Sequence, residues 1–253
     1  MFDRVHEMRT RIITSKSFTG EKVLGAILFE DTMDREIEGL PTGQYLWAIK
    51  GIAPFIKVDK GLANEENGVQ LMKPIPDLDT LLKKAVQKNM FGTKMRSVIK
   101  SANPEGIQAI VAQQFMLGKK ILSYGLVPIL EPEVDINIPD KEEAEALLKV
   151  ELIKGLDALA ANESVMLKLS LPTKVNFYKE LILHSHCIRV VALSGGYPRD
   201  KANMILAQHE GMIASFSRAL LEGLSYNQSQ EEFNKTLDET VDSVYRASKA
   251  PLS

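Results

Sequence analysis

The chain has 253 residues, 45% of them apolar and 25% charged. That globular composition excludes a disordered segment, a collagen and a long coiled coil. Its 31 basic and 33 acidic residues leave a net charge of −2, which gives no general pull toward nucleic acid or a membrane surface.

A helical pattern opens the chain (Phe2, Val5, Met8, Ile12), and the first strand is expected at Val23–Phe29. Further strands are expected at Pro54–Val58, Phe91–Val98, Leu126–Leu130, Ser164–Leu169, Ile188–Leu193 and Met212–Phe216. Several are almost continuously apolar, which suits parallel strands buried on both faces. Between them lie amphipathic helices with end signals. Pro76 opens one, with Leu78, Leu81, Leu82 and Val86 facing inward. Asn103 caps the next ahead of Pro104, its apolar face is Ile107, Ile110, Val111, Phe115, Ile121 and Leu122, and Gly125 stops it. Asp140 with Glu143, and Ser229 with Glu232, have capping-box spacing. Leu147, Leu148, Leu152, Leu156 and Leu159 follow the first; Phe233, Leu237, Val241 and Val244 follow the second.

Strands alternating with helices imply right-handed βαβ units, closed into a barrel or open as a doubly wound sheet. No GxGxxG turn follows the first strand and no phosphate-loop lysine motif is present. The length also suits an α/β barrel of about 250 residues. The expectation is therefore a single TM-free domain over 1–253, of the TIM (β/α)8 type, for which seven strand candidates are present. One cysteine, Cys187, excludes an intramolecular disulfide framework. His184 and His186 lack the i, i+4 spacing of a helical zinc pair, so no metal is expected. No apolar run approaches the roughly 20 residues of a membrane span, and no signal-peptide pattern opens the chain, so a cytoplasmic location is expected. Neither nucleic acid nor a membrane is expected as a partner, and nothing in the sequence assigns an oligomeric state.

In a parallel barrel the chemistry gathers at the C-terminal ends of the strands. Those ends carry Lys57 and Asp59; Lys94 and Arg96; Glu131 and Glu133; Lys168; Ser194, Gly195 and Gly196; and Ser215 to Arg218, including Ser217. Lys168 sits among apolar neighbours in Val165-Met166-Leu167-Lys168-Leu169. Burial would push its amine toward the neutral, nucleophilic form that condenses with carbonyls, and a second cation such as Lys94 would push it further. Equally open is a stem that crosses the strand end and delivers its head to solvent or a carboxylate. Glu131 and Glu133 are two apart on one side of a strand: one suits proton transfer to a carbinolamine oxygen and the other suits holding a lysine, but two salt-bridging acids fit as well. The Ser194-Gly195-Gly196 turn ahead of a helix near Pro198, followed by Ser215 to Arg218, has the makings of a phosphate site. Lys57, Lys94 and Arg96 form a second cationic rim, so a substrate with phosphates at both ends fits the pair of rims.

Taken together, the stretches ILFEDTMDREIEG (27–39), PFIKVDKGL (54–62), FGTKMRSVIK (91–100), LVPILEPEV (126–134), VMLKLSLPT (165–173), VALSGGYPR (191–199) and IASFSRAL (213–220) resemble the class I fructose-1,6-bisphosphate aldolases, particularly the bacterial branch. The resemblance implies a metal-independent and cofactor-independent lyase that cleaves fructose 1,6-bisphosphate, reversibly, to dihydroxyacetone phosphate and glyceraldehyde 3-phosphate. It places Lys168 as the Schiff-base lysine and Glu131 as the acid/base of carbinolamine chemistry. Glu133 and Lys94 become the groups that position and tune that lysine. Lys57 and Arg96 meet one phosphate; Ser194, Gly195, Gly196, Ser215, Ser217 and Arg218 surround the other, with Ser217 standing where many relatives have glycine. Family members also have an earlier strand bearing an aspartate used in carbon–carbon cleavage. No such strand is found ahead of Val23, which leads to the expectation that 1–253 is weak or inactive in cleavage. A sugar-phosphate binder without turnover, or another Schiff-base aldolase or transaldolase, are the alternatives.

Overall fold

The computed structural model describes residues 2–249. Its main sheet contains seven strands that pair in sequence order, each parallel to the next: β1 (Gly25–Leu28), β2 (Ala53–Lys57), β3 (Gly92–Ile99), β4 (Val127–Val134), β5 (Val165–Ser170), β6 (Cys187–Leu193) and β7 (Ile213–Ala214). A short strand at Val69–Gln70 adds an antiparallel rung to β3. Strictly sequential parallel pairing requires a crossover on one side each time, and that curls the sheet in barrel fashion. The architecture is thus α/β and of TIM-barrel type. Among the described residues the outer strands, β1 and β7, do not pair with each other.

All seven expected strands are present, with three changes of extent; β1 keeps only Gly25–Leu28 of the expected Val23–Phe29. β4 runs on to Val134, so Glu131 and Glu133 lie inside the strand rather than beyond it. Pro128 and Pro132 carry no N–H for the ladder, yet the register with β3 is unbroken from Gly92↔Val127 to Ile99↔Val134. β7 is reduced to two residues, because only Ile213 and Ala214 pair with β6; the last helix supports it, Ser248 Oγ accepting the Ala214 N–H at 3.0 Å.

The long helices are α1 (Phe2–Thr14), α2 (Leu78–Gln87), α3 (Pro104–Leu122), α4 (Lys141–Asp157), α5 (Arg199–Leu206) and α6 (Gln230–Lys249). Asn103 caps α3, its side chain accepting the Gly106 N–H at 2.9 Å. Ser229 and Glu232 form a reciprocal box ahead of α6, with bonds of 2.9 and 3.2 Å between each side chain and the other's backbone N–H. The expected box at Asp140 does not form. Its carboxylate instead accepts the Ala102 N–H at 2.6 Å, tying the loop after β3 to the start of α4. Val86 was expected inside, but it is 46% exposed and Ala85 takes the inward position, because α2 begins at Leu78 and its buried stripe follows Leu78, Leu81, Leu82 and Ala85. One continuous apolar core extends from Ile12 in α1 to Val241 in α6. His184 pairs with Asp157 at 3.0 Å, and the His186 ring meets the Glu163 carbonyl at 2.7 Å, so both imidazoles serve as loop anchors.

Candidate active site

The parallel register brings the charged side chains to one end of the sheet. Lys57 lies opposite Lys94, Arg96 opposite Glu131, and Lys168 opposite Val191, itself opposite Ile213. Successive side chains alternate between faces, so Lys94, Arg96, Glu131, Glu133 and Lys168 share the same inward side at neighbouring levels.

Their contacts form one chain of alternating charge. Lys168 Nζ is 3.1 Å from Glu131 Oε1, and Lys94 Nζ is 2.8 Å from Glu131 Oε2. On the far side of Lys94, Asp59 Oδ2 lies 3.7 Å from its Nζ and also accepts the Arg96 N–H at 3.3 Å. Asp59 Oδ1 takes a 2.7 Å bond from Lys57 Nζ, which bonds the Asp59 carbonyl as well. Glu133 pairs with Arg96 Nε. Lys94, Asp59, Glu131, Glu133 and Lys168 are all buried, none more than 9% exposed. Burial is the main cause that pushes the Lys168 amine below the ordinary lysine range; Glu131 pulls it back and Lys94 pushes it further down. In its neutral form such an amine, flush against a carboxylate, can attack a carbonyl carbon, with that carboxylate carrying the proton.

Of the two readings of Lys168, the geometry favours a head that stays inside rather than one that reaches solvent. The pair Glu131 and Glu133 does share one side of the strand. Glu133 forms its ion pair with Arg96, which lies on the same face of β3, and its charge also acts on Lys168. Lys57 and Arg96 do come to one side of the mouth, half-exposed, and each is already matched by an acid.

The second cluster lies past β6. Leu193 is in register with Ser170, two residues beyond Lys168. Ser194 follows it, buried, and its carbonyl accepts the Tyr197 N–H at 3.0 Å. Gly195 and Gly196 take φ of +65° and +112°, backbone that side-chain-bearing residues rarely adopt. A Cβ on Gly195 would run into Ile136, and one on Gly196 would stand 3.9 Å from the Arg218 guanidinium, so Arg218 lies over this turn. Ser215 extends the pairing of β7, its N–H reaching the Ala192 carbonyl at 2.7 Å, and Ser217 is exposed just ahead of Arg218. The start of α5 contributes less than expected, since the Arg199 N–H is taken by Glu222 at 3.1 Å. Two residues carry more of the site than the sequence suggested. Asp59 joins the Lys57 and Lys94 ammonium groups and takes the Arg96 backbone N–H, and Ser170 Oγ donates to the Val134 carbonyl at 2.6 Å, locking the ends of β5 and β4 together. The Lys-x-Asp spacing in KVD signalled the first; nothing local signalled the second.

The family model for class I fructose-bisphosphate aldolase matches residues 3–171. The chain belongs to the class I fructose-bisphosphate aldolases. Over 248 residues it is 58% identical to the class 1 fructose-bisphosphate aldolase of Synechocystis sp., covering 98% of this chain and 83% of that protein. The class 1 enzyme of Porphyromonas gingivalis is likewise 58% identical over 248 residues, covering 98% and 84%. In three dimensions the fold resembles that of fructose-bisphosphate aldolase from Plasmodium falciparum, solved with TRAP and a small-molecule inhibitor: TM-score 0.83, 22% identity, covering 100% of this chain and 84% of that one. A protein of Corynebacterium glutamicum is similar at TM-score 0.59 and 12% identity, covering 97% and 76%. Aldolase membership makes the chain a lyase. Within the family's seven motifs, Lys168, Glu131 and Lys94 are the groups that share one buried ion-pair triad in this structure.

Proposed function

We propose that the chain cleaves fructose 1,6-bisphosphate by Schiff-base chemistry at Lys168, in the cytoplasm, with no metal or organic cofactor. The observation that carries this reading is the buried Lys168–Glu131–Lys94 triad, with one amine held below its ordinary basicity. The neutral Lys168 amine attacks the substrate ketone carbon; the Glu131 carboxylate takes the proton shed by the nitrogen, and the Lys94 ammonium on its other oxygen protonates the oxyanion, giving the carbinolamine. Glu131, 3.1 Å from that amine, then protonates the hydroxyl, which leaves as water and gives the protonated imine. Glu131 is now a carboxylate and is positioned to accept the C4 hydroxyl proton. As that proton leaves, the C3–C4 bond breaks, the aldehyde half departs, and its electron pair passes into the imine to give an enamine. Glu131 returns that proton to C3 of the enamine, and hydrolysis of the resulting imine releases the ketone half, restores the neutral Lys168 amine and gives the last proton back to Lys94.

Phosphate recognition is divided between the two rims. Lys57 and Arg96 meet one phosphate, and Ser194, Gly195, Gly196, Ser215, Ser217 and Arg218 meet the other. Two glycines with free φ supply backbone N–H donors, and Arg218 above them supplies charge.

The test is chemical trapping. Borohydride added during incubation with dihydroxyacetone phosphate adds the mass of the reduced adduct to the peptide containing Lys168, and Lys168→Met abolishes both adduct and turnover. A label confined to another lysine, or turnover undiminished in Lys168→Met, overturns the reading.

A further inference from the structure

Glu131 faces two lysines in nearly the same way. Lys168 lies 3.1 Å from Oε1 and Lys94 lies 2.8 Å from Oε2, and both amines are equally buried, at 7% exposure. Two buried ammonium groups against one carboxylate are poorly compensated, so the arrangement favours one charged and one neutral amine. Nothing within the triad decides which amine keeps the proton. The asymmetry lies outside it, in Asp59, a carboxylate only 6% exposed. Its Oδ2 stands 3.7 Å from Lys94 Nζ, whereas the only acid in ion-pair contact with Lys168, among the described residues, is Glu131.

We infer that Asp59 is the positioning residue that selects the nucleophile: by giving Lys94 a second carboxylate it fixes the proton there and leaves Lys168 as the neutral amine. The inference rests on the Schiff-base reading and adds a group to which that reading gives no role. Asp59 is held in place for this task. Its Oδ1 and its carbonyl are both bonded by Lys57 Nζ at 2.7 Å, and the Arg96 N–H fixes Oδ2 at 3.3 Å. The remaining charges facing the triad are the Arg96 guanidinium and Glu133, which pair with each other, and Lys57, which pairs with Asp59 Oδ1; of these Glu133 still acts on Lys168, without touching it. Of the two amines of the triad, Lys94 is the one within ion-pair reach of Asp59, through the oxygen that Lys57 leaves free. A lysine with two carboxylates beside a lysine with one is a simple device for discriminating between two chemically identical amines.

The experiment follows the rate at which cyanoborohydride traps the adduct of dihydroxyacetone phosphate on Lys168, as a function of pH. The rate rises through a midpoint that reports the loss of the Lys168 proton. In Asp59→Asn the two amines share the remaining carboxylate more evenly, so the midpoint moves to higher pH. A shift of one pH unit gives about a tenfold slower rate on the acid side of the curve. Asp59→Glu restores the charge and brings the midpoint back. A purely structural role for Asp59 would lower the rate equally at every pH and leave the midpoint where it was, and that result overturns the inference. A second variant needs no change at Asp59. Lys94→Arg replaces the competing amine with a group that keeps its proton, so if Lys94 is already the protonated partner the midpoint stays at its wild-type position. A fall of a unit or more in Lys94→Arg means that the proton was shared, and it overturns the inference even if Asp59→Asn does not fold. Absence of any label on Lys168 in the wild type is a separate outcome, which removes the Schiff-base reading together with this one.

Discussion

An amine buried among apolar side chains is costly to ionise, and at Lys168 that cost bears on stability as well as chemistry. The unfolded chain leaves Lys168 protonated up to the ordinary lysine pKa of about 10.4, while burial lowers the value in the fold. Between those two values the unfolded state binds more protons, so the contribution of Lys168 to stability rises with pH across that window. Below the window the burial cost is fully present. Lys168→Met, which keeps the volume and loses the charge, is therefore expected to melt higher than wild type near neutral pH, with the gap closing toward the ordinary lysine range. Melting curves of both proteins across that range check it; a lower Tm at neutral pH would mean that the Glu131 ion pair outweighs desolvation. Glu131 belongs to the same scale. Glu131→Gln keeps the shape and removes the proton carrier, so kcat is expected to fall by about 10²–10⁴ with a much smaller change in KM, as measured by steady-state kinetics. Lys168, Glu131 and Lys94 were legible in the sequence because each interrupts or ends a run of apolar strand residues, where a charge is conspicuous. Asp59 was legible only as the partner of Lys57 in KVD; its link to Lys94 and Arg96 was not, since these lie more than thirty positions away and only strand pairing brings them together.

At the scale of elements, the apolar runs and the end signals placed all seven strands and the long helices. Where these expectations fell short, tertiary contacts had overridden local chemistry. Pro132 and two acids do not read as strand, yet β4 continues through them because each inward glutamate meets a cation from a neighbouring strand. Asp140 has the spacing of a helix cap, but the Ala102 N–H offers its carboxylate a longer-range bond. Asn103, by contrast, caps α3 as its sequence suggests. Asn103→Ala should cost about 1 kcal/mol, which in a chain of this size lowers Tm by roughly 2–4 °C. Thermal melts followed by circular dichroism measure that directly, and a change too small to detect would mean that α3 is held by packing alone.

At the scale of the whole molecule, the first and last helices are clasped together. The Arg11 guanidinium lies 4.1 Å from the centre of the fully buried Phe233 ring. It also donates to the carbonyls of Tyr226, Gln228 and Ser229 at 3.0–3.3 Å, and to the Gln230 side chain at 3.3 Å. These carbonyls belong to the turn leading into α6, so a single side chain of α1 fixes the approach of the final helix. Lys22 adds a salt bridge to Asp242 on the same helix. The shared core from Ile12 to Val241 predicts that the chain unfolds as one cooperative unit rather than in two halves. Arg11→Ala removes a cation–π contact and several charge-assisted hydrogen bonds while leaving most of the turn's carbonyls open to water, so a loss of about 1–2 kcal/mol is expected. Calorimetry and far-UV circular dichroism should then show coincident transitions in both proteins, shifted to lower temperature in the variant. A separate early transition in Arg11→Ala, with the remaining sheet melting at the wild-type temperature, would show instead that α6 is a detachable element, and that the single core is two.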